Sequence, residues 1–211
     1  MLAPPSAPRR IAIVGQLDPA DPRAWSGTPS GLLKGLGQAG AEAVAIDARP
    51  PGFGPAARAL RRSWTWEATN PAFAAACGAW ANRRIAASGA EAAIAIGSGF
   101  ALDGRVPFTT FEDETIAQAE RQPATPLANV PERGLRRWRQ RQRLTYERAR
   151  ACCVASTWTG DSLREDYGVD PDKIHVVGCG RNLEQEAPER EWSPPRFLFA
   201  GVNWERKRGE G

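Results

Sequence analysis

Residues 151–178 read Ala151-Cys152-Cys153-Val154-Ala155-Ser156-Thr157-Trp158-Thr159-Gly160-Asp161-Ser162-Leu163-Arg164-Glu165-Asp166-Tyr167-Gly168-Val169-Asp170-Pro171-Asp172-Lys173-Ile174-His175-Val176-Val177-Gly178. Two short apolar runs, 151–155 and 174–177, are rich in β-branched and small apolar residues and read as buried strands. Between them, Gly160 to Tyr167 reads as a helix closed by Gly168. Strand, helix and strand in so short a span form a βαβ unit, which places the two strands parallel in one sheet.

The same alternation extends outward in both directions. Arg10 to Gly15 and Ala43 to Asp47 read as strands. Between them Thr28-Pro29 marks a helix start, with Thr28 as the cap and Pro29 at the first helical position. Leu32, Leu33 and Leu36 form that helix's apolar stripe, and Gly40 ends it. Asn70-Pro71 opens a second helix with Phe73, Cys77, Trp80 and Ala87 on its apolar side and Gly89 at its end. Strands follow at Ala92 to Ile96 and Pro107 to Phe111. An Arg-rich helix spans Glu132 to Arg150, with Leu135, Trp138, Gln142, Tyr146 and Ala149 aligned. The fold class is therefore α/β, a Rossmann-like doubly wound parallel sheet. Residues 1–182 read as one domain, the polar and acidic 183–195 as a linker, and 196–211 as the start of a second, truncated domain.

Composition narrows the function classes. The chain has 211 residues, an apolar fraction of 42% and a formal net charge of +4. That apolar share permits a packed core. The amino-terminal residues lack a secretory h-region, and no apolar run approaches the ~20 residues of a membrane span. The four cysteines form no C-x-x-C pair and His175 is the single histidine, so no metal site is expected. The expected setting is reducing and cytoplasmic, and no cofactor is expected. A dinucleotide-binding turn would need G-x-G-x-x-G directly after a strand. Gly15 is followed by Gln16, Leu17 and Asp18, and Gly97-Ser98-Gly99 meets Leu102 at the third glycine position. Ser156 has no base beside it, because His175 lies on a strand and reads as a packing residue, so no hydrolase triad is expected.

Four segments, taken together, resemble retaining nucleotide-sugar glycosyltransferases of the GT-B fold (group 1, family 4-like). They are Trp25-Ser26-Gly27-Thr28-Pro29-Ser30-Gly31-Leu32, Phe111-Glu112-Asp113-Glu114-Thr115, the stretch from Ala155-Ser156-Thr157-Trp158 to Gly180-Arg181-Asn182, and Phe197-Leu198-Phe199-Ala200-Gly201-Val202-Asn203-Trp204-Glu205-Arg206-Lys207. The resemblance implies transfer of a sugar, with retention, from a nucleotide-sugar donor to a carbohydrate or lipid-linked acceptor held mainly by the amino-terminal domain. It implies that Ser26, Gly27, Thr28 and Gly31 face the donor diphosphate, and that Arg206 and Lys207 neutralise the leaving diphosphate. Val202 stands where the commoner motif has an arginine. The resemblance places the cluster Glu112, Asp113 and Glu114 beside the acceptor or reacting sugar, with Asp113 the candidate catalytic residue. The acidic trio 112–114 reads equally as the start of a helix, where carboxylates complement the positive dipole end. The donor's phosphate is thought to take the acceptor proton in such enzymes, so no dedicated base is required. As it stands the fragment is expected to be inactive, since the glutamates and nucleotide loop of the family's second half are missing.

The Arg-rich helix has a separate reading. Glu132 to Arg150 holds eight arginines and two glutamates, so +6 sits there against +4 for the chain, leaving −2 elsewhere. A solvated face accounts for such a stripe. An anionic membrane touched peripherally through the Arg136–Arg150 segment accounts for it too, as in a non-catalytic acceptor-binding or membrane-surface module. No fold signature for nucleic acid accompanies the charge, and none is expected as partner.

Overall fold

The computed structural model describes residues 9–51, 69–122, 127–180 and 193–194. The linker, Arg206, Lys207 and the start of the second domain lie outside the described residues, apart from 193–194. Within them the elements are β1 (Arg10–Gly15), a 3-10 turn (Ala24–Gly27), α1 (Thr28–Gln38), β2 (Glu42–Asp47), α2 (Pro71–Ser88), β3 (Ala92–Ile96), β4 (Phe108–Glu112), α3 (Ile116–Arg121), α4 (Glu132–Arg148), β5 (Ala151–Val154), α5 (Thr157–Glu165), a second 3-10 turn (Pro171–Lys173) and β6 (Ile174–Val176). The six strands form one sheet in the order β2-β1-β3-β4-β5-β6, and every neighbouring pair is parallel. The expected Rossmann-like α/β architecture is present.

The order explains the layering. From β1 the chain moves one way to β2 and thereafter steps the other way, so right-handed crossovers put α1 on one face and the later helices on the other. On the α2 face, Ala12, Val14, Ala93 and Ala95 of the sheet meet Phe73, Cys77, Ala81 and Ile85 of α2, Tyr146 of α4 and Leu163 of α5. On the α1 face, Ile13, Ile96 and Phe111 pack under Trp25, Leu32, Leu33 and Leu36. Ala12, Ile13 and Val14 are wholly buried, as a central strand covered on both faces requires.

Local chemistry sets the boundaries. Asn70 Oδ1 accepts hydrogen bonds from the amides of Ala72 and Phe73, both at 3.1 Å, and Thr115 with Gln118 forms a capping box that starts α3. Ser156 caps α5 by accepting from Thr159 N, so that helix begins at Thr157, earlier than the sequence pattern places it. Lys173 Nζ donates to the carbonyls of Tyr146 and Glu147 at 2.8 and 3.0 Å, closing the last turn of α4.

At three places the structure differs from what the sequence pattern predicts. The cap of α1 is Gly27, with Thr28 as its first residue and Pro29 second. The left-handed backbone at Gly27 is open to glycine without strain and turns the chain one residue earlier than Thr28 would. Trp80 and Ala87 lie off the buried stripe of α2: Trp80 carries Arg84 over its ring, and Ala74, Gly78, Ala81 and Ile85 take the core positions. His175 is exposed rather than packed, because β6 is an edge strand with little covering it.

Candidate functional site

In a sheet of this order the chain reverses direction between β1 and β3, and the crevice outside the carboxyl ends of those strands is the place where α/β folds bind ligands. Here the crevice is lined by close backbone approaches. A Cβ at Gly99 would stand 1.7 Å from Gln16 Oε1, and one at Gly97, which has φ +74°, would stand 2.9 Å from the Trp25 ring. Glycine at 97 therefore serves two purposes, the positive φ and the room for the indole. Gln16 Nε2 is buried and lacks a hydrogen-bond partner among the described residues.

Trp25 and Ser26 are the non-glycine residues with positive φ among those described, at 47° and 54°, and Gly27 follows at 87°. Three consecutive left-handed residues turn the chain sharply into α1. The two non-glycine residues cost about 1–2 kcal/mol each in intrinsic backbone energy, and packing of the Trp25 ring on Gly97 offsets part of it. No side chain caps α1, and Ser30 Oγ is turned back to donate to Gly27 O at 2.9 Å. Gly27 has no side chain to accept from the amides of the first turn, and a helix amino end of this kind attracts anions. Thr28 and Gly31 line a cleft of about 400 Å³ with Leu32, Phe111, Cys153 and Gly178. Gly27 is buried at its head and Ser26 is exposed beside it. Of the four loop residues singled out in the sequence, Thr28 and Gly31 line the cleft, and Ser26 and Gly27 lie in the turn that precedes α1.

Asp113 stands apart from that cleft, just beyond the end of β4. Its carbonyl accepts a 2.6 Å hydrogen bond from Thr159 Oγ1, which ties the loop to α5. Burial by surrounding protein raises its carboxyl from the ordinary value, opposed by the amides of Asp113 and Glu114, while the residue stays open to solvent. The acidic-helix-start explanation of the trio does not hold, since α3 begins at Ile116 with no acidic residue in its first turn.

Glu112 behaves quite differently from its neighbour. Its side chain is 2% exposed and points into the α2-face core. Desolvation, then the charge of Asp113, push its carboxyl well above the ordinary range, and nearby Tyr146 and Ser98 soften the rise. Neither Glu112 Oε1 nor the Tyr146 hydroxyl completes a hydrogen bond. Arg141 Nε donates to Ser98 O at 3.1 Å, and burial lowers its guanidinium to about 10. Glu112 stands out in the sequence as a member of the acidic cluster 112–114, whereas Gln16, Trp25 and Ser98 do not stand out as site residues. The pair Gly97 and Gly99 was the available signal, since glycines after a strand mark close approach.

Among the described residues no group of three His, Cys, Asp or Glu side chains could hold a metal ion. No described helix is long and apolar enough to cross a membrane.

A parallel doubly wound sheet with an uncapped helix amino end beside its reversal point defines a Rossmann-like α/β protein built to take ligands at its strand ends. Residues 32–185 match Glycosyltransferase Family 4, and the chain belongs to that family. The matched region includes Asp113 and begins one residue after Gly31. Among curated proteins no match is found. Membership indicates glycosyl transfer in general terms, with a sugar donor and an acceptor as substrates.

Proposed function

We propose that the chain forms the acceptor-side domain of an enzyme that transfers a sugar from a nucleotide-diphosphate sugar to a carbohydrate or lipid-linked acceptor, with retention at the anomeric carbon. The observation that carries this reading is the uncapped amino end of α1 at the rim of an apolar-walled cleft, in a chain of this family. The first-turn amides and Ser26, Gly27, Thr28 and Gly31 face the donor diphosphate, where the helix dipole favours negative charge. Arg206 and Lys207, from a domain beginning at residue 196, add cationic charge to the leaving diphosphate. Asp113 lies beside the acceptor or reacting sugar and binds hydroxyls or assists proton transfer. The apolar walls Leu32, Phe111 and Cys153 suit an acceptor with an apolar portion.

The test is direct. The chain, alone and with a donor-binding domain of the same family supplied in trans, is incubated with uridine-, guanosine- and adenosine-diphosphate sugars and with soluble and lipid-linked acceptors, and the product's anomeric configuration is read by NMR. Transfer with retention supports the proposal; inversion, or hydrolysis of a sugar phosphate without transfer, counts against it. A second reading is a non-catalytic module that contacts an anionic membrane from the cytoplasmic side. It is favoured by the exposure of Arg136, Arg143 and Arg150 at and just beyond the outer side of α4, and it predicts salt-sensitive binding to phosphatidylglycerol vesicles without sugar transfer.

A further inference from the structure

A second cavity lies away from the strand ends. It is a trough of about 910 Å³ between α2 and α4, and the topology explains it. Parallel strands are normally joined through a helix lying on the sheet. Among the described residues the β3–β4 connection, residues 97–107, is the crossover with no helix, so between α2 and α4 the trough is lined by that connection, through Ala101, Leu102, Asp103, Arg105 and Val106. The α2 wall runs from Pro71 to Ala86, fifteen steps of helix or about 22 Å. That is the length of about four helical turns.

The walls differ in chemistry. Ala75 and Ala79 are exposed along α2, beside the buried Ala74 and Gly78, the latter against the Ala101 backbone, and Leu144 presents an exposed apolar side chain from α4. Arg137, Arg141, Leu144 and Arg148 fall on one stripe of α4, and Arg83 and Arg105 stand on the other side. Five arginines therefore line the trough against one acid, Asp103, which pairs with Arg105 at 3.5 Å. Arg83 and Arg137 are exposed and have no ion pair among the described residues. A flat bilayer would touch only the rims of such a trough. An inserted helix would occupy the missing crossover position, laying a stripe against the alanines and turning its flanks to the arginines.

We propose that this trough docks an acidic amphipathic helix of a partner protein, its apolar stripe on the alanine wall and its carboxylates toward Arg83 and Arg137. This is helix-in-groove recognition with charge fixing the partner and its register, and it does not depend on the catalytic proposal. The test uses the full chain and a labelled fifteen-residue helical peptide with leucine and alanine on one face and glutamate on its flanks. A counterpart with glutamine for glutamate and phosphatidylglycerol vesicles serve as the comparison probes. The glutamate peptide should bind by fluorescence anisotropy and weaken with salt. Reversing both rims (Arg83→Glu with Arg137→Glu) should weaken it about tenfold or more, a change of about 1.4 kcal/mol or more. Filling the trough with Ala79→Trp should also abolish binding, with the far-ultraviolet circular dichroism of both variants unchanged. Equal binding of the two peptides, binding indifferent to these substitutions, or arginine-dependent vesicle binding without peptide binding would each overturn the proposal.

Discussion

Replacing Glu112 by glutamine should stabilise the protein at neutral pH, although the substitution removes a carboxylate at the edge of the candidate site. Glu112 is 2% exposed, and its Oε1 has no hydrogen-bond partner. Its carboxyl is raised well above 4.5 by burial first and by Asp113 second. Below pH 4.5 the group is protonated in folded and unfolded chains alike, and it contributes no pH dependence. Above 4.5 the unfolded chain releases the proton while the folded one keeps it, so the unfolded state binds fewer protons and stability falls as pH rises. The slope is about 1.4 kcal/mol per pH unit until the folded carboxyl itself ionises. Over that range the glutamate protein loses stability with rising pH and the glutamine variant does not. Glutamine has nearly the same shape, never ionises, and offers Tyr146 an amide partner. Urea unfolding of both proteins at pH 4.5, 5.5, 6.5 and 7.5 gives the difference directly. The variant's advantage should be near zero at pH 4.5 and grow with pH. A difference that stays flat across the series, or a glutamine variant less stable at every pH, would refute this account of Glu112.

Gly97→Ala places a Cβ on a backbone with φ +74° and 2.9 Å from the Trp25 ring; a loss of about 2 kcal/mol in urea unfolding is expected, and a neutral result would contradict the packing of Trp25 on Gly97. Ser156→Ala removes the cap of α5 and should cost about 1 kcal/mol, whereas Ser156→Asp should largely preserve stability. Asp113→Asn should leave the fold intact, since the Thr159 hydrogen bond goes to the main chain. With a donor-binding domain of the same family supplied in trans, kcat for sugar transfer should fall by about 10²-fold or more if the carboxylate takes part in proton transfer; unchanged kcat would remove Asp113 from the mechanism.

Much of the fold is legible in the sequence because its signals are local. Strands appear as short apolar runs, and Asn70-Pro71 and Gly89 bracket α2 through capping chemistry that needs only neighbouring residues. The errors arise where tertiary packing decides. Thr28-Pro29 is a good helix start taken alone, but Gly27 can turn left-handed beneath Trp25, so the helix starts from it. His175 lies in an apolar run that would be buried inside a sheet, and it is exposed because β6 is at the edge. The candidate site was half visible. The loop 26–31 carries its own glycine and proline signature. The insertion of Gln16 against Gly99, the seat of Trp25 on Gly97 and the burial of Glu112 beneath Asp113 join residues some seventy or more positions apart or depend on which face of β4 a side chain takes. The trough between α2 and α4 had no sequence signature, because it comes from the helix that the β3–β4 connection lacks.

The central claim is that the amino end of α1 receives the diphosphate of a sugar donor. NMR titration of the isotopically labelled protein with uridine- and guanosine-diphosphate sugars tests it most directly. The account predicts saturable shifts at the amides of Gly27, Thr28, Ser30 and Gly31, matched by the nucleoside diphosphate and absent with the free sugar. Saturable binding that leaves these amides unmoved and shifts residues elsewhere would contradict it.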